Sequence, residues 1–222
     1  MGSKMLTGSL MFFGPLLGII MVFLEPSSSD GETFAVAYQK MVDNSALTAI
    51  SGMGLAIAML AIIIGSAYLA RSMQGEQKPG SDLAGLASVL YLLLAAVVIV
   101  SMSLSFSVFD TDWAKKGGDA ITAYAVSDGI GTGVFMFMGV PLLLLGIAIF
   151  RQKNLNHIVG GIAALFGACM VVGGALTQIT NDSSSGVDDI TGMIWFIGFL
   201  GWIVITVVIG GFTIRSARQD AT

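Results

Sequence analysis

The chain has 222 residues, 55% of them hydrophobic, and a mean hydropathy of +0.87, a composition typical of polytopic membrane proteins rather than of soluble domains. Charged residues make up only 11% of the chain and the net charge is −4; we expect no nucleic-acid partner. The single cysteine, Cys169, excludes an intrachain disulfide and a cysteine-based metal cluster, so we interpret it as an apolar packing residue.

Six stretches of the chain are long enough to cross a bilayer as helices, and none contains Asp, Glu, Lys, Arg or His. A hydrocarbon core of ~30 Å requires about 20 apolar helical residues. Because ion pathways and haem or metal sites place ionisable groups at membrane depth, these spans offer no such site. We therefore predict an all-α membrane protein, a single domain over residues 1–222, with six transmembrane helices at approximately 6–24, 46–70, 83–109, 129–150, 158–179 and 190–214.

The first span contains Gly14 and Gly18 in a GxxxG pattern, which lets two helices approach closely, and Pro15, which predicts a kink. In the loop that follows, apolar residues recur with helical periodicity. They predict a short amphipathic helix at 31–43, with Asp30 as its N-cap, resting on the membrane surface or on the mouth of the bundle.

Four serines alternate near the end of the third span. At about 100° per residue they spread over more than half of the helix circumference, so they cannot form one narrow stripe. We expect a partly hydrated helix end in which each hydroxyl bonds to a carbonyl of its own helix. The four residues are Ser101, Ser103, Ser105 and Ser107.

The next loop begins with Asp110-Thr111-Asp112, which has the D-x-D form of some divalent-cation sites; we favour a solvated acidic loop. Further along, Asp119 is predicted to cap a turn that carries Ile121, Tyr124 and Ala125, before the fourth span begins.

The fourth span opens with Gly129, Gly131 and Gly133, which resemble half of a phosphate-binding loop. No strand precedes them and no lysine follows, so we expect them to loosen the start of the helix rather than to bind a nucleotide. Pro141, in the middle of the span, predicts a second kink. Kinked helices occur in transporters, although packing is their commoner cause.

Small residues recur in the last two spans, where they allow close helix contact. They either pack within this chain or form a docking face for another subunit. The candidates are Gly160, Gly167, Gly174, Gly198 and Gly201.

Two polar positions near these spans, His157 and Asn181, are candidate sites. His157, the only histidine, has no ligating partner near it in the sequence, and a metal site there is not expected. Asn181 begins a glycosylation sequon close to the membrane boundary, where we do not expect modification.

Lysine and arginine divide seven to three between the two sides of the predicted topology. By the positive-inside rule both termini are cytoplasmic, in a multi-pass protein of the cell membrane with acidic loops outside. The even-numbered spans each end at an arginine, Arg71, Arg151 or Arg215, as expected of three helical hairpins.

No set of residues has the pattern of a catalytic, cofactor or metal site, so we expect neither an enzyme nor a cofactor. We predict an accessory or scaffold subunit of a larger membrane complex, whose partners are the lipid bilayer and other membrane subunits or a second copy of the chain. The alternative is a small transporter or channel for a neutral solute, which would not require charged residues in the spans.

Overall fold

A computed structural model of the protein describes residues 4–26, 33–108, 119–153, 155–180 and 187–220. In these ranges the chain forms seven α-helices and no strand. The helices are α1 (Lys4–Leu24), α2 (Phe34–Asp43), α3 (Ser45–Ser72), α4 (Ser81–Val108), α5 (Ala120–Gln152), α6 (His157–Thr180) and α7 (Val187–Gln219).

Six of these helices, all except α2, are long and apolar enough to cross a membrane. The predicted six-helix bundle is therefore confirmed, and the chain is a polytopic membrane protein. The predicted amphipathic helix corresponds to α2, which begins after Thr33; the Thr33 side chain makes no capping hydrogen bond. Asp30, the predicted cap, lies outside the described residues.

The largest difference from the predicted bounds is at α5, which begins nine residues before the expected start of the fourth span. Asp119 is its N-cap: Oδ1 accepts hydrogen bonds from the backbone N–H of Ile121 at 3.1 Å and of Thr122 at 3.4 Å. The turn predicted after Asp119 is not separate from the span, because no residue between them breaks the helix. The helix is continuous through the glycines at 129, 131 and 133, and the expected loosening there stays a prediction.

The six long helices form a closed ring in which each packs between two others. The order around the ring is α1, α3, α4, α5, α6 and α7, and α7 packs against α1 to close it. At the closure the Lys4 ammonium and the Asp220 carboxylate form an ion pair of 2.6 Å. Both ends of the described chain therefore lie at one end of the ring, here named the termini end. The opposite end, which carries α2, is named the α2 end.

The ring is filled by large side chains and is apolar on its outside. Tyr91, Met138 and Trp202 are fully buried in its interior. On the outer surface Phe23 is 85% exposed and Ile179 is 77% exposed, as expected of side chains that face lipid.

Glycines let neighbouring helices touch along most of the ring. A Cβ on Gly167 of α6 would lie 2.5 Å from the backbone nitrogen of Leu143 in α5, and one on Gly160 would lie 2.5 Å from that of Phe150. Such distances are below any real Cβ contact. An added Cβ would be equally crowded at four more of the predicted packing glycines: at Gly174 by the Met136 side chain, at Gly198 by the Met170 backbone, at Gly201 by the Phe166 ring and at Gly14 by Ile62. A Cβ on Gly18 would make only an ordinary van der Waals contact, 3.6 Å from Ala58.

The two span prolines are buried and lie inside continuous helices. Pro15 does not end α1, and Pro141 does not end α5. Each is next to or near a glycine that packs closely on a neighbouring helix, Gly14 or Gly139. Their expected kinks stay a prediction.

Candidate functional site

A cavity of about 250 Å³, lined by both apolar and polar residues, opens at the α2 end, between α3, α4 and α5. Glu25, just after α1, and Met41 of α2 complete its wall. This space is named the α2 cavity. It lies where the ring lacks close glycine contacts, since the glycines of α5 at this level would have open space around an added Cβ.

One wall of the α2 cavity is a network of three serine hydroxyls that joins α4 to α5. Ser101 Oγ donates to the Ser127 carbonyl oxygen at 3.0 Å, and Ser127 Oγ donates to the Ser101 carbonyl oxygen at 2.8 Å. Ser105 Oγ also bonds to Ser127 Oγ. Ser101 and Ser127 are buried, so the network satisfies polar groups that would otherwise be costly at this depth.

The network corrects the predicted bonding of the alternating serines. Among the serines whose side chains are described, Ser103 alone bonds as predicted: its Oγ donates to the Ile99 carbonyl oxygen of its own helix at 2.7 Å. Ser101 and Ser105 are four residues apart and share a face, which α5 covers, so their hydroxyls bond across the interface. The side chain of Ser107 lies outside the described residues.

Helix α2 covers the cavity through aromatic and sulfur contacts with α5. The ring of Tyr124 lies 5.3 Å from that of Phe34 and 5.8 Å from that of Tyr38, measured between centroids. Its hydroxyl donates to Met41 Sδ at 3.0 Å, and Thr48 Oγ1 of α3 donates to the Met41 carbonyl oxygen at 2.9 Å. Tyr124 therefore forms part of the roof of the cavity and also holds α2 in place against α5.

Two carboxylates line the cavity, Glu25 and Asp128. Burial raises the pKa of Glu25, and the negative charge of Asp128 raises it further. Asp128 is exposed and lies at the rim. The negative groups are thus close enough to repel each other, an arrangement that a bound cation would relieve.

A third acid, Asp119, lies beside the roof but is not part of the lining. Hydrogen bonds from the Thr122 side chain and from the Thr122 and Ile121 backbone lower the pKa of Asp119. Partial burial, and then the charge of Asp119, raise the pKa of Tyr38. The Asp119 carboxylate at the start of α5 therefore places a negative charge beside α2, above the cavity.

The floor of the cavity is aromatic. Phe135 lines it and meets Phe199 edge-on, with centroids 5.4 Å apart, and Trp202 at 6.5 Å. Two fully buried polar atoms lie deeper in the ring, Trp202 Nε1 and the Tyr91 hydroxyl, and neither has a hydrogen-bond partner in the described part of the chain. Ser66 lies beside the Tyr91 hydroxyl but not in hydrogen-bonding geometry.

Several residues weighed in the sequence lie away from this cavity. His157 is at the start of α6, at the termini end, with its ring 6.3 Å from that of Phe150. Among the described residues no group of three or more His, Cys, Asp or Glu could hold a metal ion. The D-x-D run at 110–112 and Asn181 lie outside the described residues.

Sequence reasoning missed the residues that make the cavity: Glu25, Thr48, Tyr124, Ser127 and Asp128. A signal for part of the set exists. In α5 the lining positions 124, 127, 128, 131 and 135 have the spacing of one helix face. It was not recognised because the fourth span was expected to begin at 129.

Comparison with known protein families, with curated proteins and with solved structures finds no match to this chain.

Proposed function

We propose that the protein is a small transport protein of the cell membrane and that the α2 cavity is where its solute, a small organic cation, enters. The supporting observation is the pair of carboxylates, Glu25 and Asp128, at a cavity that also offers hydroxyls and aromatic faces. Carboxylates supply charge, and aromatic rings attract ammonium groups through their faces. The volume of about 250 Å³ suits a solute of few heavy atoms.

The cationic solute departs from the neutral one expected from the sequence. That expectation followed from spans without charged residues, and those spans remain free of them in the interior of the ring. The ring brings Glu25, which follows α1, to the same cavity as Asp128 of α5. A neutral solute would leave the repulsion between these two groups in place.

The proposed route is closed in the middle of the ring. Phe135, which lines the α2 cavity, contacts Trp202, and both rings pack against Phe199. A solute in the α2 cavity therefore reaches the other side only when this aromatic cluster moves. Alternate opening of the two ends of a helical bundle is the usual form of such motion.

The accessory-subunit alternative loses one of its arguments. It relied on glycine faces as docking surfaces, and the chain's own helices cover six of the seven glycines in close contact. Purification from native membranes followed by mass spectrometry tests this alternative. A partner at fixed ratio would favour it, whereas a chain that purifies alone and transports would favour the transport proposal.

Uptake into liposomes tests the proposed solute class. Purified protein should take up labelled tetramethylammonium saturably, and Glu25→Gln should reduce that uptake about tenfold, the effect of removing one charged partner. Asp43→Asn is the matched control, because Asp43 lies at the same end but does not line the cavity. Equal uptake by both variants, or none by the wild type at any concentration, would reject the proposal.

The proposed orientation, with the termini end in the cytoplasm, has its own test. In a Cys169→Ala background, Asn44→Cys should react with an impermeant thiol reagent added to intact cells, and Gln74→Cys should react only after permeabilisation. Both side chains are exposed, and they lie at opposite ends of the ring. The reverse pattern would invert the topology.

A further inference from the structure

We propose that the termini end carries a binding site for a phosphate-type anion, held by Lys4 and Lys78. This site is independent of the α2 cavity and of the transport proposal. Its ligand chemistry is a phosphate group, which either a free phosphate ion or the headgroup of an anionic lipid can supply.

The site is a cavity of about 290 Å³, here named the termini cavity. Its polar lining comes from four segments: α1, the end of α3, the connection between α3 and α4, and the end of α7. These segments meet at the termini end of the ring. The polar residues that line it are Lys4, Thr7, Ser72, Lys78, Thr213 and Ser216.

Lys78 is positioned by a tight turn after α3. Gly75, Gln77 and Gly80 all have positive φ, at 153°, 64° and 77°, and Gln77 is a residue type that rarely adopts this conformation. The turn returns Lys78 over the end of α3, where its Nζ lies 3.3 Å from the Gln74 carbonyl oxygen and 3.4 Å from that of Ser72. These long contacts with carbonyls orient the ammonium group without neutralising its charge.

Lys4 reaches the same cavity from the start of α1, with Asp220 as its ion-pair partner at 2.6 Å. Both side chains of the pair are 57% exposed, so an anion can compete with the carboxylate for the ammonium group. No Asp or Glu is among the residues described as lining the cavity. Thr7 and Ser216 also line the cavity, and their hydroxyls can donate to a bound oxyanion.

A second cavity adjoins this one and adds positive charge. It shares Leu155 and Ser216 with the termini cavity and is lined by Arg215 and His157. Basic residues at this end are expected from the positive-inside rule alone. The further observation is that two of them, Lys4 and Lys78, line one cavity together with hydroxyl groups, which is the donor set that binds phosphate.

The test measures phosphate and lipid binding by the full-length protein in detergent. One arm titrates inorganic phosphate by calorimetry, and the other counts retained phosphatidylglycerol against phosphatidylcholine by native mass spectrometry. Lys78→Gln and Lys4→Gln should each weaken binding about tenfold in whichever arm the wild type binds. Arg151→Gln, a loss of charge at the same end but outside the cavity lining, should change it little.

Asp220→Asn separates a binding role of Lys4 from a structural one. Both Lys4→Gln and Asp220→Asn break the ion pair, but only Asp220→Asn leaves Lys4 free for an anion. We expect Asp220→Asn to tighten binding by a few fold, opposite to Lys4→Gln. Binding in the phosphate arm would identify a free anion, and binding in the lipid arm alone would identify a headgroup.

Three results would overturn the proposal. They are absence of binding in both arms, equal effects of Lys78→Gln and Arg151→Gln, and weaker binding in Asp220→Asn as in Lys4→Gln. Failure of cation uptake through the α2 cavity would not bear on it, because the two sites share no residue.

Discussion

Helix α5 makes two very different contacts with its neighbours. Toward α6 it presents Gly139 and Gly146, where the backbones touch and leave no space for a ligand. Toward α4, nearer the α2 end, it presents Ser127, and there the helices are joined by hydroxyl bonds beside a cavity. The difference shows how one membrane helix can be held in place by one face and form a binding site with the other. Small residues let the two helices touch and leave no space between them, whereas larger polar residues hold the helices apart and leave a cavity.

The largest effect is expected at the close interface. Gly167→Leu would force side-chain atoms into the Leu143 backbone, since even a Cβ would lie 2.5 Å from its nitrogen. We expect a loss of about 3 kcal/mol or more, or failure to fold. Gly133→Leu is the control in α5, because a Cβ there meets nothing within 4 Å. Thermal unfolding in detergent should separate the two variants, and similar stability would mean that α5 and α6 are not in contact as described.

A smaller effect is expected at the hydroxyl network. Ser127→Ala removes the hydroxyl that donates to the Ser101 carbonyl oxygen and bonds to Ser105 Oγ, whereas Ser101 Oγ keeps its bond to the Ser127 carbonyl oxygen. The free energy of unfolding should fall by about 1–2 kcal/mol. Ser103→Ala loses only a bond to its own helix, so it should change stability by less than about 0.5 kcal/mol. If the two substitutions cost the same, the network does not hold α4 to α5.

The pH dependence of Glu25 should distinguish the cavity from the close interface. Because its pKa is raised in the folded protein, folding favours the protonated form, and its contribution to stability is lost as pH rises from the ordinary value of 4.5 through the folded value. Cation uptake should change in the opposite sense and fall as acidification protonates Glu25. In Glu25→Gln both dependences should disappear. Uptake that is flat with pH in the wild type would argue against a role for this carboxylate.

The slightest effect is expected at the start of α5. Asp119→Asn keeps the size of the N-cap but removes its charge, and Asn also caps helices well. We expect the first turn of α5 to fray little and the α2 cavity to keep its affinity. Hydrogen exchange at the Ile121 and Thr122 amides, which donate to Asp119, measures this directly. If the Ile121 and Thr122 amides exchanged fast in Asp119→Asn and cation uptake were lost, the charge of Asp119 would contribute more to cation binding than the residues that line the cavity.

Hydrophobic patterning predicts the six long helices, because lipid requires each span to be continuous and apolar. Helical periodicity likewise predicts α2, which ends at Asp43 as expected. The cavity is beyond such patterning. Glu25, Ser101 and Asp128 come from different parts of the chain, and they meet only because the helices close into a ring whose order the sequence does not state.

One error in the sequence analysis concealed the site. Starting the fourth span at 129 put Tyr124 and Asp128 in a loop, although Asp119 had been recognised as a cap. In the structure Asp119 caps one continuous helix, α5, and residues in the first turns of α5 line the cavity. The glycine patterns correctly predicted where helices pack closely. They did not predict that the interface between α4 and α5, which lacks such glycines, would contain a cavity.

The central claim is that a small organic cation binds in the α2 cavity, and protection of an introduced cysteine tests it most directly. In a Cys169→Ala background, Thr132→Cys places a thiol in the exposed part of the lining, and Gly129→Cys places one on the same helix outside it. Tetramethylammonium should slow alkylation of Thr132→Cys in a saturable way and leave Gly129→Cys unchanged. Equal alkylation rates with and without the cation at Thr132→Cys would contradict the claim.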